Sequence, residues 1–190
     1  GEKEDQYTSY FRIGEVYSSL GDYDQARLFF DKALEFYDGK NSLTEALILN
    51  AYGSLSRQEA QYETALQRLN KSLMIRKKLG DRRGQALSLT ALGATYAAIS
   101  ELPQALQNYR DAQDLWKDIG DRYNQAATYN YLGLALAESK DESAARKAFN
   151  QSLELRRLTY DKEGEADTLY QLAKLDFSSG ALSSAKEKIV

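Results

Sequence analysis

The sequence predicts an all-α solenoid built from antiparallel helix pairs, and three observations lead to it. A heptapeptide returns after forty residues, as GDRRGQA at 80–86 and GDRYNQA at 120–126, and such a period is typical of repeat architectures. The 190 residues include a single proline and are rich in Ala, Leu, Gln, Glu, Lys and Arg, which favours helix over sheet. Between the two copies of the heptapeptide lie two stripes of apolar residues, each with the spacing of a helix face.

The period divides the chain into one array of about five repeats. Alanines recur at Ala46, Ala86, Ala126 and Ala166, which sets the repeat length at forty residues. The expected bounds are 6–40, 41–80, 81–120, 121–160 and a truncated 161–190, in a single domain covering 1–190.

Each repeat is predicted to be a helical hairpin, as the third one illustrates. Its first stripe follows the rhythm of an amphipathic helix at Leu89, Leu92, Gly93, Tyr96 and Ile99. After a polar break, a second stripe of the same kind comprises Ala105, Tyr109, Ala112, Trp116 and Ile119. Pro103 falls in the first turn of that second helix, where its missing N–H costs no hydrogen bond.

Small residues recur at fixed places in both helices of each repeat. The first helices carry Gly14, Gly53, Gly93 and Gly133, and the second helices carry Ala26, Ala65, Ala105 and Ala145. Four residues after these alanines stand Phe30, Leu69, Tyr109 and Phe149. We expect the small residues to face each other so that paired backbones approach closely, and the large ones to fill the space between hairpins.

The repeated heptapeptide is interpreted as the connector between hairpins. Gly80 and Gly120 follow the end of a stripe, where a left-handed residue closes a helix, and Asp81 and Asp121 can cap the next helix. The alternative, a phosphate-binding loop, needs a Lys and a Ser or Thr after its last glycine, and neither copy has them. Two further pairs have the spacing of a capping box: Asp22 with Gln25, and Ser42 with Glu45.

Composition argues against an enzyme. The chain has no His and no Cys, which excludes Ser-His and Cys-His nucleophile systems and the usual zinc sites. The best metal candidate is the acidic cluster Asp161, Glu163, Glu165 and Asp167. It lacks the residue order of an EF-hand, so the plain interpretation is a solvated helix start. We therefore expect no catalytic residues, no metal and no cofactor.

Charge and hydropathy narrow the classes of partner that the sequence predicts. The net charge of −3 comes from 25 basic and 28 acidic residues in mixed order, so neither nucleic acid nor a membrane surface is the expected partner. No apolar run approaches the roughly 20 residues that cross a bilayer. With no signal peptide visible, a cytoplasmic location is expected.

The segment YFRIGEVYSSLGDYDQARLFFDKAL at 10–34 resembles the tetratricopeptide repeat (TPR) family signature, and the resemblance extends over essentially the whole chain. It implies a right-handed superhelix whose first helices line a concave groove. Repeats of forty residues, without the proline that usually ends the second helix, resemble the long-repeat arrays of kinesin light chains and of bacterial multidomain regulators.

The groove implied by this resemblance is the candidate binding surface. Small Ala94 and Ala97 leave room for a ligand, and the amides of Asn50 and Asn130 could pair with a peptide backbone. The alternative is that both asparagines only tie neighbouring first helices together. The remaining groove positions are Ser54, Arg57, Thr90, Leu134 and Ala137, with Phe11, Glu15 and Ser18 at one end and Tyr170, Lys174 and Phe177 at the other.

The sequence is consistent with three functions. The first is a scaffold that binds a protein segment or peptide in the groove. The second is the peptide-sensing regulatory part of a larger bacterial protein, and the third is a structural spacer or oligomerisation element. The last repeat stops at Val190 in mid-stripe, so we expect a piece of a longer protein whose end frays or packs against another molecule, a second copy included.

Overall fold

The computed structural model describes residues 2–37, 39 and 42–178, with no account of side chains 2–5. This part of the chain contains nine α-helices and no strand, which confirms the all-α class. The helices are α1 (Glu2–Ser19), α2 (Tyr23–Phe36), α3 (Ser42–Gln58), α4 (Tyr62–Leu79), α5 (Arg82–Ala98), α6 (Leu102–Ile119), α7 (Arg122–Glu138), α8 (Glu142–Leu158) and α9 (Lys162–Ser178). The chain forms two compact units, Gly1–Ile99 and Ser100–Val190.

The N-terminal unit consists of two hairpins, α1–α2 and α3–α4, followed by α5. Each second helix packs on its own partner and on the next first helix, and α3 also contacts α1 and α5. This is the stacking of helix pairs that the period predicts. One cluster of buried side chains spans the first three helices: Phe11, Ala26, Phe30, Ala33, Ile48, Tyr52 and Leu55.

The recurring glycines make room for the large residue of the partner helix. A Cβ on Gly14 would lie 2.7 Å from the Phe30 ring, and a Cβ on Gly53 would lie 2.7 Å from Leu69. Phe30 and Leu69 therefore pack against the glycine of their own hairpin, a contact that the repeat pattern did not predict. Phe30 also reaches the next hairpin, with its ring centroid 5.5 Å from that of Tyr52.

The C-terminal unit consists of α6, the hairpin α7–α8, and α9. Here α6 packs on α7, α8 packs on α7 and α9, and α7 contacts α9 directly. The glycine rule holds again, since a Cβ on Gly133 would lie 2.6 Å from the Phe149 ring. Ala105 of α6 is buried like its equivalents in the other repeats, and so is Gly93 of α5 in the N-terminal unit.

The connectors adopt the conformations that their residues predict. Gly80 and Gly120 are left-handed, with φ of 69° and 76°. Asp81 Oδ1 accepts a hydrogen bond from the backbone N–H of Gly84 at 2.9 Å, and the Asp121 carboxylate caps α7 in the same way.

Asp22 caps α2 through the N–H of Gln25, as expected. The described part of α3 begins at Ser42, so the capping box of Ser42 with Glu45 stays a prediction. Pro103 lies in the first turn of α6, where the sequence places it.

Two junctions between repeats contain a buried arginine. Arg76 at the end of α4 lies against Gly84, where a Cβ would come 1.9 Å from its Nη1, and Arg156 has the same relation to Gly164. Burial lowers the pKa of the Arg76 guanidinium, and the negative charge of Asp81 opposes that shift. Trp116, also buried, holds this position in the intervening repeat.

Candidate peptide-binding groove

The predicted groove positions lie on the first helix of each hairpin, and their side chains differ widely in accessibility. Ser54, Arg57, Ala94, Ala97 and Ala137 are half-buried, while Lys174 is exposed. Thr90 donates its hydroxyl hydrogen to the carbonyl oxygen of Ala86 in its own helix. At the ends of the predicted surface, Tyr170 and Phe177 are exposed, and Phe11 is a core residue, so its assignment to the groove is wrong.

Asn50 joins two first helices of the N-terminal unit. Its Oδ1 accepts a hydrogen bond of 2.9 Å from the Ser88 hydroxyl, which connects α3 to α5. Nearby, the Ser72 hydroxyl donates to the carbonyl oxygen of Ala46 at 2.7 Å. Asn50 is half-buried, and its Nδ2 takes no part in the bond to Ser88. A ligand would therefore meet a donor at this position rather than a complete amide.

Asn130 plays the same part in the C-terminal unit. Its Nδ2 donates to Asp167 Oδ2 at 2.8 Å, which connects α7 to α9. The residue is only 5% exposed, and its buried Oδ1 has no hydrogen-bond partner among the described residues. Both asparagines thus tie neighbouring first helices together, the alternative that the sequence left open. Burial of Asn130 leaves little of it for a ligand.

A cleft in the C-terminal unit brings three predicted residues together. It has a volume of about 590 Å³ and lies among α7, α8 and α9. Leu134 and Ala137 of α7 and Lys174 of α9 line this cleft. The buried side chains of Phe149 and Leu175 also line it. Leu134 keeps 38% of its surface exposed, so an apolar ligand group could cover it.

Other lining residues were missed by sequence reasoning. Gln171 and Ser178 also line the cleft from α9, at i−3 and i+4 from Lys174. Both residues neighbour Lys174 on the helix surface. A prediction that included the positions three and four residues from each groove residue would have found them. Glu138, Lys140 and Glu142 come from the α7–α8 turn and give the rim mixed charge.

The acidic cluster at the start of α9 has structural partners. Asp161 caps α9 through the N–H of Gly164 and pairs with Arg156 at 3.1 Å. Glu165 pairs with Arg157 at 2.7 Å and with Lys162 at 3.0 Å, and these two cations lower the pKa of its carboxyl group. Across the described residues, no three His, Cys, Asp or Glu side chains are placed to hold a metal ion.

None of the described helices combines the length and the hydrophobicity that crossing a bilayer requires.

The geometry defines a class of protein: both units are built from helical hairpins, and a glycine of the first helix meets a large residue of the second at Gly14, Gly53 and Gly133. Sequence models of the tetratricopeptide repeat match residues 44–118, 85–158 and 7–38. The chain belongs to the tetratricopeptide repeat family. No protein of curated function matches it.

Solved structures share the fold at low sequence identity. A Rap protein complexed with competence and sporulation factor is 16% identical, with a TM-score of 0.85 over 96% of this chain and 52% of its own. The Rap conjugation gene regulator of plasmid pLS20, in complex with the Phr peptide, is 19% identical with a TM-score of 0.81, over 96% of this chain and 51% of its own.

A kinesin light chain-type protein from Podosopora anserina, with nearly identical TPR-like repeats, is 14% identical with a TM-score of 0.79 over 96% of this chain and 90% of its own. The chain thus spans about half the length of the two Rap proteins. These likenesses establish the fold.

Proposed function

We propose that this chain is a non-catalytic interaction module that binds an extended or helical segment of a partner protein along its first helices. The cleft formed by α7, α8 and α9 carries this proposal. It would take an apolar side chain of the segment against Leu134, while Lys174 meets an acidic group beside it. The Rap structures support the proposal, since both were solved as complexes and one of them holds a peptide.

The first helices of the N-terminal unit offer a separate candidate contact at Asn50. Desolvated backbone groups of a bound segment need hydrogen-bond partners. Asn50 can offer its Nδ2, whereas Asn130 already uses its own. Changing Asn50 therefore tests ligand contact, but changing Asn130 would also disturb the α7–α9 connection. We place this function in the cytoplasm as part of the same proposal.

The experiment uses peptides selected from a displayed random library on the intact chain, with affinities measured by fluorescence anisotropy. Leu134→Glu should weaken binding by about tenfold or more, because it replaces an apolar contact with a charge. Leu158→Glu is the matched control, as another exposed leucine of the same unit outside the cleft. Circular dichroism checks that both variants fold. Equal affinity for both variants, or no selectable peptide, would exclude the cleft.

A second candidate is the peptide-sensing part of a larger bacterial regulator. The Rap conjugation gene regulator with its bound peptide favours it, together with the half-length coverage of that chain. The domain composition of the full-length protein distinguishes it from a plain scaffold. A structural spacer would bind no segment at all, and the library selection tests that directly.

A further inference from the structure

The groove side of α3 carries a row of hydrogen-bond donors, formed by Asn50, Ser54 and Arg57 and called the donor row below. Their spacing of four and three residues places them on one side of the helix. All three side chains are half-buried. Both neighbouring first helices of α3 are present, since α1 and α5 each contact it. The donor row therefore belongs to the interior of the N-terminal unit and not to an end of the chain.

Within the described part of the chain, each side chain of the donor row has a donor without a partner. The Oδ1 of Asn50 accepts the Ser88 hydroxyl at 2.9 Å, which orients the amide and leaves its Nδ2 free. The Ser54 hydroxyl and the Arg57 guanidinium take part in no hydrogen bond or ion pair there. None of the three donor groups is fully enclosed. A ligand would therefore meet an amide N–H, a hydroxyl and a guanidinium along one side of α3.

The surroundings of the donor row lack an unpaired negative charge. The α5 helix contains no acidic residue, and the one in α3, Glu45, pairs with a lysine of α4 at 2.8 Å. On α1, Glu15 corresponds in the repeat to Ser54, and it pairs with an arginine of its own helix at 2.8 Å. Glu59, just after α3, pairs with an arginine of α2. Among the described residues, Arg57 thus has no counter-ion, although the whole chain has a net charge of −3.

The donor row has room beside it and no equivalent in the cleft. Ala94 and Ala97 hold the groove positions of α5, and their side chains are small. In α7 the corresponding positions are Asn130, Leu134 and Ala137, which carry no charge, and the Nδ2 of Asn130 is already bonded. The donor row and the cleft therefore differ in chemistry, the first polar and cationic and the second largely apolar.

We propose that the donor row binds a phosphate group, carried by a phosphorylated side chain of a partner or free in solution. At neutral pH a phosphate monoester has close to two negative charges and three terminal oxygens that accept hydrogen bonds. Each donor group of the row can pair with one of these oxygens, and a guanidinium matches the geometry of phosphate. A carboxylate has one charge and two oxygens, so one donor group would have no oxygen of its own.

Nuclear magnetic resonance titrations of the intact chain at constant ionic strength test this site, with the side-chain N–H signals of Asn50 and Arg57 as reporters. The probes are inorganic phosphate and end-blocked phosphoserine, and end-blocked glutamate is the carboxylate comparison. The phosphate probes should shift these signals saturably and bind more tightly than the glutamate. The probe with the higher affinity identifies the source of the phosphate group.

Two variants examine the donors themselves. Arg57→Gln should weaken phosphate binding by about tenfold or more, because it removes a charged hydrogen-bond donor. Ser54→Ala keeps the positive charge and should also bind phosphate more weakly. Lys78→Gln is the matched control, since it removes an exposed cation of α4 in the same unit, and it should bind like the parent. Circular dichroism checks that all three variants fold.

Three outcomes would overturn the proposal. They are the absence of a saturable shift with either phosphate probe, equal affinity for the glutamate, and equal phosphate affinity of the parent and either donor-row variant. The cleft and its peptides concern residues of the C-terminal unit. Either proposal can therefore fail without the other.

Discussion

Individual polar residues in this array are buried where they connect helices. Asn50, Asn130 and Ser72 each bond to a residue of another helix, and each is at least half-buried. Such groups cost free energy unless they are paired, so their partners follow from their burial. Residue type alone had suggested ligand contacts at the two asparagines. Their partners lie 37 or 38 residues away in the sequence, which no local pattern could indicate.

Tyr52 should make stability depend on pH in the alkaline range. Burial, with a hydrogen bond of 2.8 Å to Asp31 and the charge of that carboxylate, raises the pKa of Tyr52 to about 12. The unfolded phenol has a pKa near 10, so the fold favours the neutral form. Its stabilising effect is complete below about pH 10 and is lost as pH rises through about 12.

Urea unfolding of the parent and Tyr52→Phe from pH 8 to 12 measures this contribution. The phenylalanine variant keeps the ring and cannot ionise, so the parent should lose stability more steeply above about pH 10. A constant difference between the two across the whole range would contradict the prediction.

At the scale of elements, the junctions between hairpins are specified by residues that complement one another. A buried arginine occurs together with glycine eight residues later, as in Arg76 with Gly84 and Arg156 with Gly164. Where the buried residue is Trp116, the later position is Asn124. The glycine lies within a helix, so no turn requires it. It is required because the arginine side chain occupies the space that a Cβ would fill.

Gly84→Ala should destabilise the chain by about 1–3 kcal/mol, the usual cost of overpacking. The new Cβ would come 1.9 Å from Arg76 Nη1 and 2.0 Å from Asp81 Oδ2, displacing the buried guanidinium. In an Arg76→Ala background the clash with the guanidinium is gone and only the contact with Asp81 Oδ2 remains, so the same change should cost less than in the parent chain. A double-mutant cycle by urea denaturation measures the coupling. Equal costs in both backgrounds would show that the arginine is not the cause.

For the whole molecule, stability in a repeat array is a sum of local terms between neighbours. Within the N-terminal unit, α3 contacts four helices, α1, α2, α4 and α5, whereas α1 contacts α2 and α3. Packing of α1 therefore contributes less to the stability of this unit than packing of α3. The expected fraying of the chain end concerns residues 182–190, which lie outside the described residues.

Native-state hydrogen exchange should find lower protection in α1 than in α3. We expect the central amides of α1 to exchange at least about tenfold faster, equivalent to about 1.4 kcal/mol, because α1 can open without α3. Uniform protection across α1 to α5 would instead mean that the unit opens as a whole.

The sequence by itself determined the helices, their pairing and their caps. Helix ends depend on residues within one turn of each other. The sequence alone therefore indicated that Gly80 ends one helix and that Asp81 caps the next. The spacing of Gly14 and its equivalents likewise indicated close helix packing, although it did not indicate what would fill the gap.

Only the tertiary structure decided which surfaces remain available to a partner. Exposure of Leu134, and burial of Asn130 and Phe11, depend on helices that pack from distant parts of the sequence. A groove position and a core position can have the same residue type and the same place in the repeat. The neighbouring hairpin determines whether such a position is buried or exposed. The sequence of a single helix does not contain that information.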